Sequence, residues 1–176
     1  MIQFQSPNLA AAKAALESRG ASEAELQDDS VHCIVSRERI FDVIRSIKED
    51  PALQFKYFID VTGADYSKYS IPQPERFAVI YNLLSPSLGV RVQIRVYLPE
   101  ADPSIASITS LFHGANWGER EVYDMYGFDF RGHPSLQRLL TPEDFEGHAL
   151  RKDYPLKGRG ERSSFPVYEA VPGHNG

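Results

Sequence analysis

His113, Glu119, Glu121, Asp124, His133 and His148 fall within one short stretch of the chain. Together they offer the nitrogen and oxygen donors that hold zinc in hydrolytic enzymes. A site of that kind would make the chain a free-standing metal-dependent hydrolase, with His113, Glu119 and His133 as its candidate ligands. The spacing does not support it. There is no H-E-x-x-H and no H-x-H pair, and the histidines stand in turns flanked by Gly or Pro. His133 before Pro134 and His148 after Gly147 are therefore expected to hydrogen-bond to backbone, and no metal ligand or catalytic residue is assigned. No nucleophile elbow and no P-loop occurs, and Gly158-Arg159-Gly160 is too short to cradle phosphate. No G-x-G-x-x-G follows a strand, so nothing points to direct dinucleotide binding.

The element that must position most of these groups is a short helix over 116–126. Asn116 suits an N-cap with Glu119 three residues on, a capping box worth roughly 1 kcal/mol. Gly127 is placed to end the helix in a left-handed turn. At 100° per residue Gly118, Val122, Met125 and Tyr126 share one arc, which reads as the core face. Trp117, Arg120, Glu121 and Asp124 share another. An exposed Arg120–Asp124 pair at i,i+4 contributes only about 0.3–0.5 kcal/mol. Stability alone explains an aromatic ring among both signs of charge poorly, and a partner-facing patch explains it better.

The run ERE-x-YD-M-YGF-x-F-x-GHP-x-L-x-RLL followed by GHALRKDYPL, from Asn116 to Leu156, covers about a quarter of the chain. It resembles the signature of the C, or thirty-kilodalton, subunit of proton-pumping NADH:quinone oxidoreductase, respiratory complex I. Ser135, Gln137 and Ala149 stand where that pattern has Asp, Arg and Pro. The resemblance implies a non-catalytic, structural and assembly subunit of the peripheral arm, supporting electron transfer from NADH to quinone. It implies packing against the D, or forty-nine-kilodalton, subunit of the quinone chamber, and against neighbouring cluster-bearing chains. FMN, iron–sulfur clusters, NADH and quinone would sit on those other chains and none on this one. The implied location is peripheral, on the cytoplasmic side of the cell inner membrane. Related subunits occur in membrane-bound hydrogenases and ferredoxin-driven complexes, the alternative setting for the same scaffold role.

Composition agrees with that reading. At 176 residues with a net charge of −5, the chain fits one domain and a tail, and a general nucleic-acid surface is excluded. No apolar run approaches the ~18 residues of a membrane span, and no signal peptide is recognised. Cys33 is the only cysteine, which rules out an internal disulfide and a cluster held by four thiolates of this chain.

In chain order, Ser6-Pro7 should open a helix with Leu9, Ala12 and Leu16 on its apolar stripe, closed by Gly20. Strands are expected at Ala24 to Gln27 and Val31 to Val35. Ser36 should cap a second helix carrying Ile40, Ile44 and Ile47, stopped at Asp50-Pro51. Three strands follow, at Phe55 to Thr62, Phe77 to Leu84 and Val90 to Leu98. The second is apolar on both faces and belongs in the middle of the sheet. Arg91 and Arg95 of the third should lie on its wet face. Asp102-Pro103 should start a third helix through Ile105, Ile108 and Phe112.

This order predicts a two-layer α+β fold: a mostly antiparallel sheet with helices on one face, followed by short helices and an extended C-terminal tail. Residues 1–127 form the core domain and 128–176 a partner-binding segment, apolar at Phe128, Phe130, Leu136, Leu139, Leu140, Phe145, Leu150 and Tyr154 but aperiodic. Between 151 and 162, five basic residues face two acidic ones. Ser163 to Gly176 reads as a flexible end. Composition and resemblance together assign the partner-facing set as Trp117, Glu119, Arg120, Glu121, Asp124, His133, Pro134, Arg138, Arg151, Lys152, Asp153 and Tyr154.

Overall fold

Alternate burial builds the sheet. In β5 (Val90–Leu98) the residues Val90, Val92, Ile94, Val96 and Leu98 are buried, while Arg91, Gln93, Arg95 and Tyr97 face the other way. β4 (Phe77–Ser85) repeats the pattern with Phe77, Val79, Tyr81 and Leu83. The computed structural model describes residues 7–160. Within them β1 (Ser22–Gln27), β2 (Ser30–Ile34) and β3 (Tyr57–Asp65) complete a five-stranded sheet of order β1-β2-β5-β4-β3. Only the β2–β5 junction of this sheet is parallel. The middle strand is β5, and β4 lies beside it with a neighbour on each edge.

Helices cover the buried face. α1 (Pro7–Ser18) lays Leu9, Ala12 and Leu16 on it, and α2 (Ile40–Glu49) adds Ile40, Val43, Ile44 and Ile47. A large aliphatic side chain of this kind contributes about 1.5–3 kcal/mol when fully buried. After α1 the chain turns at Gly20, whose φ of 92° suits glycine. The N-cap expected at Ser6 and the end expected at Ser163 to Gly176 lie outside the described residues.

Two local expectations are corrected. Ser36 does not cap α2: its carbonyl accepts Arg39 N–H in a turn, and the helix starts at Ile40 without a side-chain cap. The helix expected from Asp102 to Gly114 is instead β6 (Ser104–Ala106) followed by one turn, in which Ile108 O accepts from Phe112 N–H. Ile105, Ile108 and Phe112 are buried as a helical stripe would bury them, so periodicity found the core residues. The backbone is extended because β6 pairs in parallel with β7 (Asp129–Arg131), and tertiary pairing overrides the local period.

α3 (Ala115–Tyr126) packs across β3. A Cβ on Gly118 would sit 2.7 Å from Val61 Cγ1, and one on Gly63 would sit 2.5 Å from Tyr126 Cδ2. Two glycines, one on each element, set how closely helix and strand approach. Immediately beyond α3, Phe128 and Phe130 enter the core, so the folded unit runs past Gly127. Residues 132–160 then form turns and bends without helix or strand.

Gly63→Ala should push the Tyr126 ring off β3 and cost about 1–3 kcal/mol as an overpacked contact. Denaturant unfolding of the chain tests this, with a lowered midpoint as the expected result.

Candidate functional site

Asp124 stands on the last turn of α3 with its side chain fully buried. Its Oδ2 accepts the backbone N–H groups of Leu139 (2.9 Å), Leu140 (2.7 Å) and Thr141 (2.9 Å). Its Oδ1 accepts Arg138 Nη1 at 2.8 Å and the Thr141 hydroxyl. Burial pushes this carboxyl upward, but the donors from Thr141, Arg138 and Leu140 outweigh it and hold it well below the usual carboxylate range. Three consecutive amides pointing at one oxygen force residues 139–141 into a tight cradle.

The end of α3 is completed by the same segment. A helix leaves its last carbonyls without intrahelical partners. Here the Asp124 carbonyl takes His148 Nδ1 (2.9 Å), Met125 takes Leu150 N–H (3.1 Å) and Tyr126 takes Arg151 Nε (2.6 Å). The Arg151 charge at the negative end of the helix is electrostatically favourable. Gly127 has φ 74°, and a Cβ there would lie 2.3 Å from His148 Nε2. The left-handed turn expected at Gly127 is present, and it also leaves room for the His148 ring.

A second carboxylate, Asp65 at the end of β3, fixes the run one step further on. It accepts Lys152 N–H at 2.8 Å, Ser67 N–H at 2.9 Å and Arg76 Nη2 at 2.9 Å. Arg76 also reaches Asp153 (2.8 Å) and Glu100, and lies 4.6 Å from the Phe77 ring centre. Burial raises the Asp65 carboxyl, and the Arg76, Lys152 and Ser67 donors bring it down far below its ordinary value.

Glu119 is a carboxylate of the opposite kind. It is fully buried, with Oε1 accepting Ile108 N–H (2.8 Å) and Oε2 accepting the Ser107 hydroxyl (2.6 Å). Its hydrogen-bond partners are neutral, and burial pushes it up to about 7. The capping box expected between Asn116 and Glu119 is thus replaced: α3 begins at Ala115, one residue earlier, with no side-chain cap, and Glu119 braces the loop after β6.

The twelve residues assigned to a partner surface divide into groups. Glu119 and Asp124 are corrected: their side chains face inward, because unpaired loop amides need acceptors more than a surface patch needs charge. Arg120 does not pair with Asp124; it donates to the carbonyls of Gln137 (3.1 Å) and Arg138 (3.0 Å) and lies 5.1 Å from the Trp117 ring centre. Arg138 spans Asp124, Thr141 and the Phe145 and Gly147 carbonyls. His133 contacts the Asn116 carbonyl through Nε2 and accepts Ser135 N–H at Nδ1, the backbone role expected of it. Arg151 and the Lys152 amide fasten the segment, and Asp153 pairs with Arg76. Tyr154 stacks on Phe145 with ring centres 5.6 Å apart. Exposed on the outside are Trp117 at 61%, Glu121, Pro134, Lys152 and Asp153, together with Leu140 at 62%, which is not one of the twelve.

His113 is exposed while Glu119 is sealed inside, so the hydrolase constellation is not brought together. Among the described residues no three His, Cys, Asp or Glu side chains group as a metal site. Asp65 and Arg76 were absent from the sequence-derived set. The signal that marks them is an aspartate ending an apolar strand just before Tyr66-Ser67, the start of an Asx turn.

Comparison with known proteins bears on which architecture this is. The family model described as respiratory-chain NADH dehydrogenase, 30 Kd subunit, matches residues 33–160. The chain belongs to that family. NADH-quinone oxidoreductase subunit 5 of Thermus thermophilus is 48% identical over 128 residues, 70% of this chain and 60% of its own length. The C 1 subunit of NADH-quinone oxidoreductase from Rhizobium meliloti is 44% identical over 144 residues, 81% of this chain and 69% of the relative. The chain therefore spans less than two thirds of the length of its Thermus relative. A solved trypsin-resistant fragment (1-134) of Nqo5 superposes with a TM-score of 0.65 at 36% identity, covering 73% of this chain and 99% of the fragment. A chain of an archaeal membrane-bound sulfane sulfur reductase shares the fold, with a TM-score of 0.70 at 19% identity over 93% of this chain and 95% of that one. In the 30 Kd subunit family's signature as it stands here, most of the charged positions are joined within the chain, and its apolar positions Trp117 and Leu140 face out.

Because the folded state holds Glu119 near 7 against an ordinary 4.5, the folded chain binds its proton more tightly. Its contribution is fully present below pH 4.5 and is lost as pH rises from there through about 7. Glu119→Gln should therefore remove that decline. Unfolding midpoints of the two proteins across about pH 4.5–8 check it: the wild-type advantage should shrink with rising pH and level off above about 7.

Proposed function

We propose that this chain is the C-type, thirty-kilodalton subunit of the peripheral arm of a proton-translocating NADH:quinone oxidoreductase, where its role is assembly. Membership of the 30 Kd subunit family supports the setting. One structural observation supports the role, because Arg120, Asp124, Arg138 and Arg151 of the signature are consumed in holding the segment after residue 136 on α3. Asp124 alone accepts five hydrogen bonds, so it is spent as an anchor and not free as an acid or base. Outward-facing side chains here are those of Trp117, Leu140, Pro134 and Glu121, and this reading takes them together as a docking ridge. An exposed tryptophan braced by a guanidinium is the sort of side chain that dominates binding energy at protein interfaces.

In this reading the ridge packs against the D, or forty-nine-kilodalton, subunit and neighbouring cluster-bearing chains, and those other chains carry FMN, iron–sulfur clusters, NADH and quinone. This chain binds none of them and keeps their carriers in register. Among the described residues no helix is long and apolar enough to cross a membrane. Attachment to the cytoplasmic face of the inner membrane would come through the complex. A tagged pull-down from mild-detergent membranes tests the setting: flavin, cluster and membrane-arm chains should co-purify. A nickel-bearing large subunit in their place would move the protein to the hydrogenase branch, and recovery of the chain alone would sink the assembly role.

The ridge itself is tested by Trp117→Ala. An exposed side chain away from the core changes folding stability by no more than about 0.5 kcal/mol. Its unfolding midpoint should hardly move while incorporation into the complex falls. A variant that unfolds readily would make Trp117 an internal strut instead.

A further inference from the structure

Ser107 is the middle link of a buried chain of hydroxyls that ends on Glu119. Its Oγ lies 2.6 Å from Glu119 Oε2 and 2.8 Å from Thr109 Oγ1, and it accepts the Thr109 N–H at 3.2 Å. All three residues are buried. A serine hydroxyl has one proton to donate and two lone pairs to fill. With Glu119 ionised, Ser107 donates to the carboxylate and accepts from the amide and the hydroxyl of Thr109. With Glu119 neutral, the acid donates from Oε2 to Ser107, which still accepts the Thr109 amide and turns its own proton to Thr109 Oγ1. Ser107 is fully satisfied in both states, and no heavy atom has to move. Only the direction of the chain reverses, so a proton passed along it exchanges one satisfied arrangement for another.

The outer end of the chain meets the surface. Thr109 lines a depression of about 310 Å3 with Ser110, His113, Asn116, Gly132 and Pro134. Ser110 and His113 are exposed there, and Thr109 is the one residue common to the depression and the hydroxyl chain. The inner side is closed. Tyr81 on β4 is fully buried, its hydroxyl has no hydrogen-bond partner, and its charge state is coupled to that of Glu119. Arg120 and Asp124 on α3 are committed to the 137–141 segment. Asp102, Asp129 and Arg131, the charges around the β6–β7 pair, meet one another at the surface. No cation therefore fixes Glu119 as a carboxylate, and burial pushes it up to about 7, where both protonation states are reached near neutrality.

We propose that Glu119, Ser107 and Thr109 form a proton-exchange site, in which the buried carboxyl takes up and releases its proton through the two hydroxyls that lead to the depression beside His113. In uptake, a proton from solvent bonds to Thr109 Oγ1 as the proton already there passes to Ser107 Oγ. Ser107 in turn gives up its own proton to Glu119 Oε2, so each hydroxyl forms one O–H bond and breaks one, and the carboxylate keeps the proton. Release runs in reverse. The brace between α3 and the loop after β6 then follows the pH outside while the core stays closed. This inference does not depend on the assembly reading above.

NMR of the full chain carrying glutamate labelled at the carboxyl carbon tests it, with the Glu119 signal identified by its loss in Glu119→Gln. Relaxation dispersion at the titration midpoint reads the rate of proton exchange on the microsecond-to-millisecond scale. Two variants cut the chain at different links, so either one decides if the other does not fold. Thr109→Val keeps the side-chain shape without the outer hydroxyl, and exchange should slow at least about ten-fold. Thr109→Ser should restore it. Ser107→Ala should slow exchange as much and also raise the midpoint, because the ionised carboxylate loses a donor. Wild-type rates in these two variants overturn the proposal, as does slow exchange in Thr109→Val that Thr109→Ser does not restore. A Glu119 signal that fails to titrate between about pH 5 and 8 overturns it as well.

Discussion

A buried carboxylate at a helix end organises this protein. Asp124 is far enough inside that an ionised side chain is stable only if its acceptor capacity is filled, and the chain fills it with five donors drawn from four successive residues. That requirement gives shape to a stretch with no periodic structure of its own. Once residues 138–141 are fixed, His148, Leu150 and Arg151 fall on the last carbonyls of α3, and Asp65 takes the Lys152 amide. The segment thus follows one line of acceptors from α3 to the end of β3.

Asp124 and Glu119 lie on one helix and are both sealed from solvent, yet their chemistry diverges. Asp124 has a guanidinium and three amides and stays charged. Glu119 has one amide and one hydroxyl, and burial dominates. What separates them is the number and charge of donors reaching each carboxylate, together with the heavier burial around Glu119. This makes Glu119 a brace whose strength depends on pH, and Asp124 one that fails only in acid.

Much of the fold was legible because period-two and period-3.6 patterns were undisturbed. Val90 to Leu98 and the stripe Ile40, Ile44, Ile47 formed as their spacing required. The stretch from Asp102 to Gly114 shows the limit of periodicity: its apolar spacing marked buried residues correctly, but pairing with the later strand β7 decided the backbone. The site was half legible. Residue types and their spacing singled out Asp124, Arg138 and Arg151, and the family signature fixed their setting. Which way each pointed depended on the loop amides of 139–141 and on Asp65, which has no local signature linking it to Lys152. An arc on a helical wheel cannot tell solvent from a covering loop.

Whether the buried carboxylates hold the 138–154 segment is tested most directly by amide hydrogen exchange at neutral pH, read at Leu139, Leu140, Thr141 and Lys152. Slow exchange is expected at all four, with the first three accelerating together in Asp124→Asn while the β5 amides stay protected. Exchange at unfolded-chain rates in the wild type would contradict the anchoring by Asp124 and Asp65, and would return the segment to a length of chain that awaits a partner for its shape.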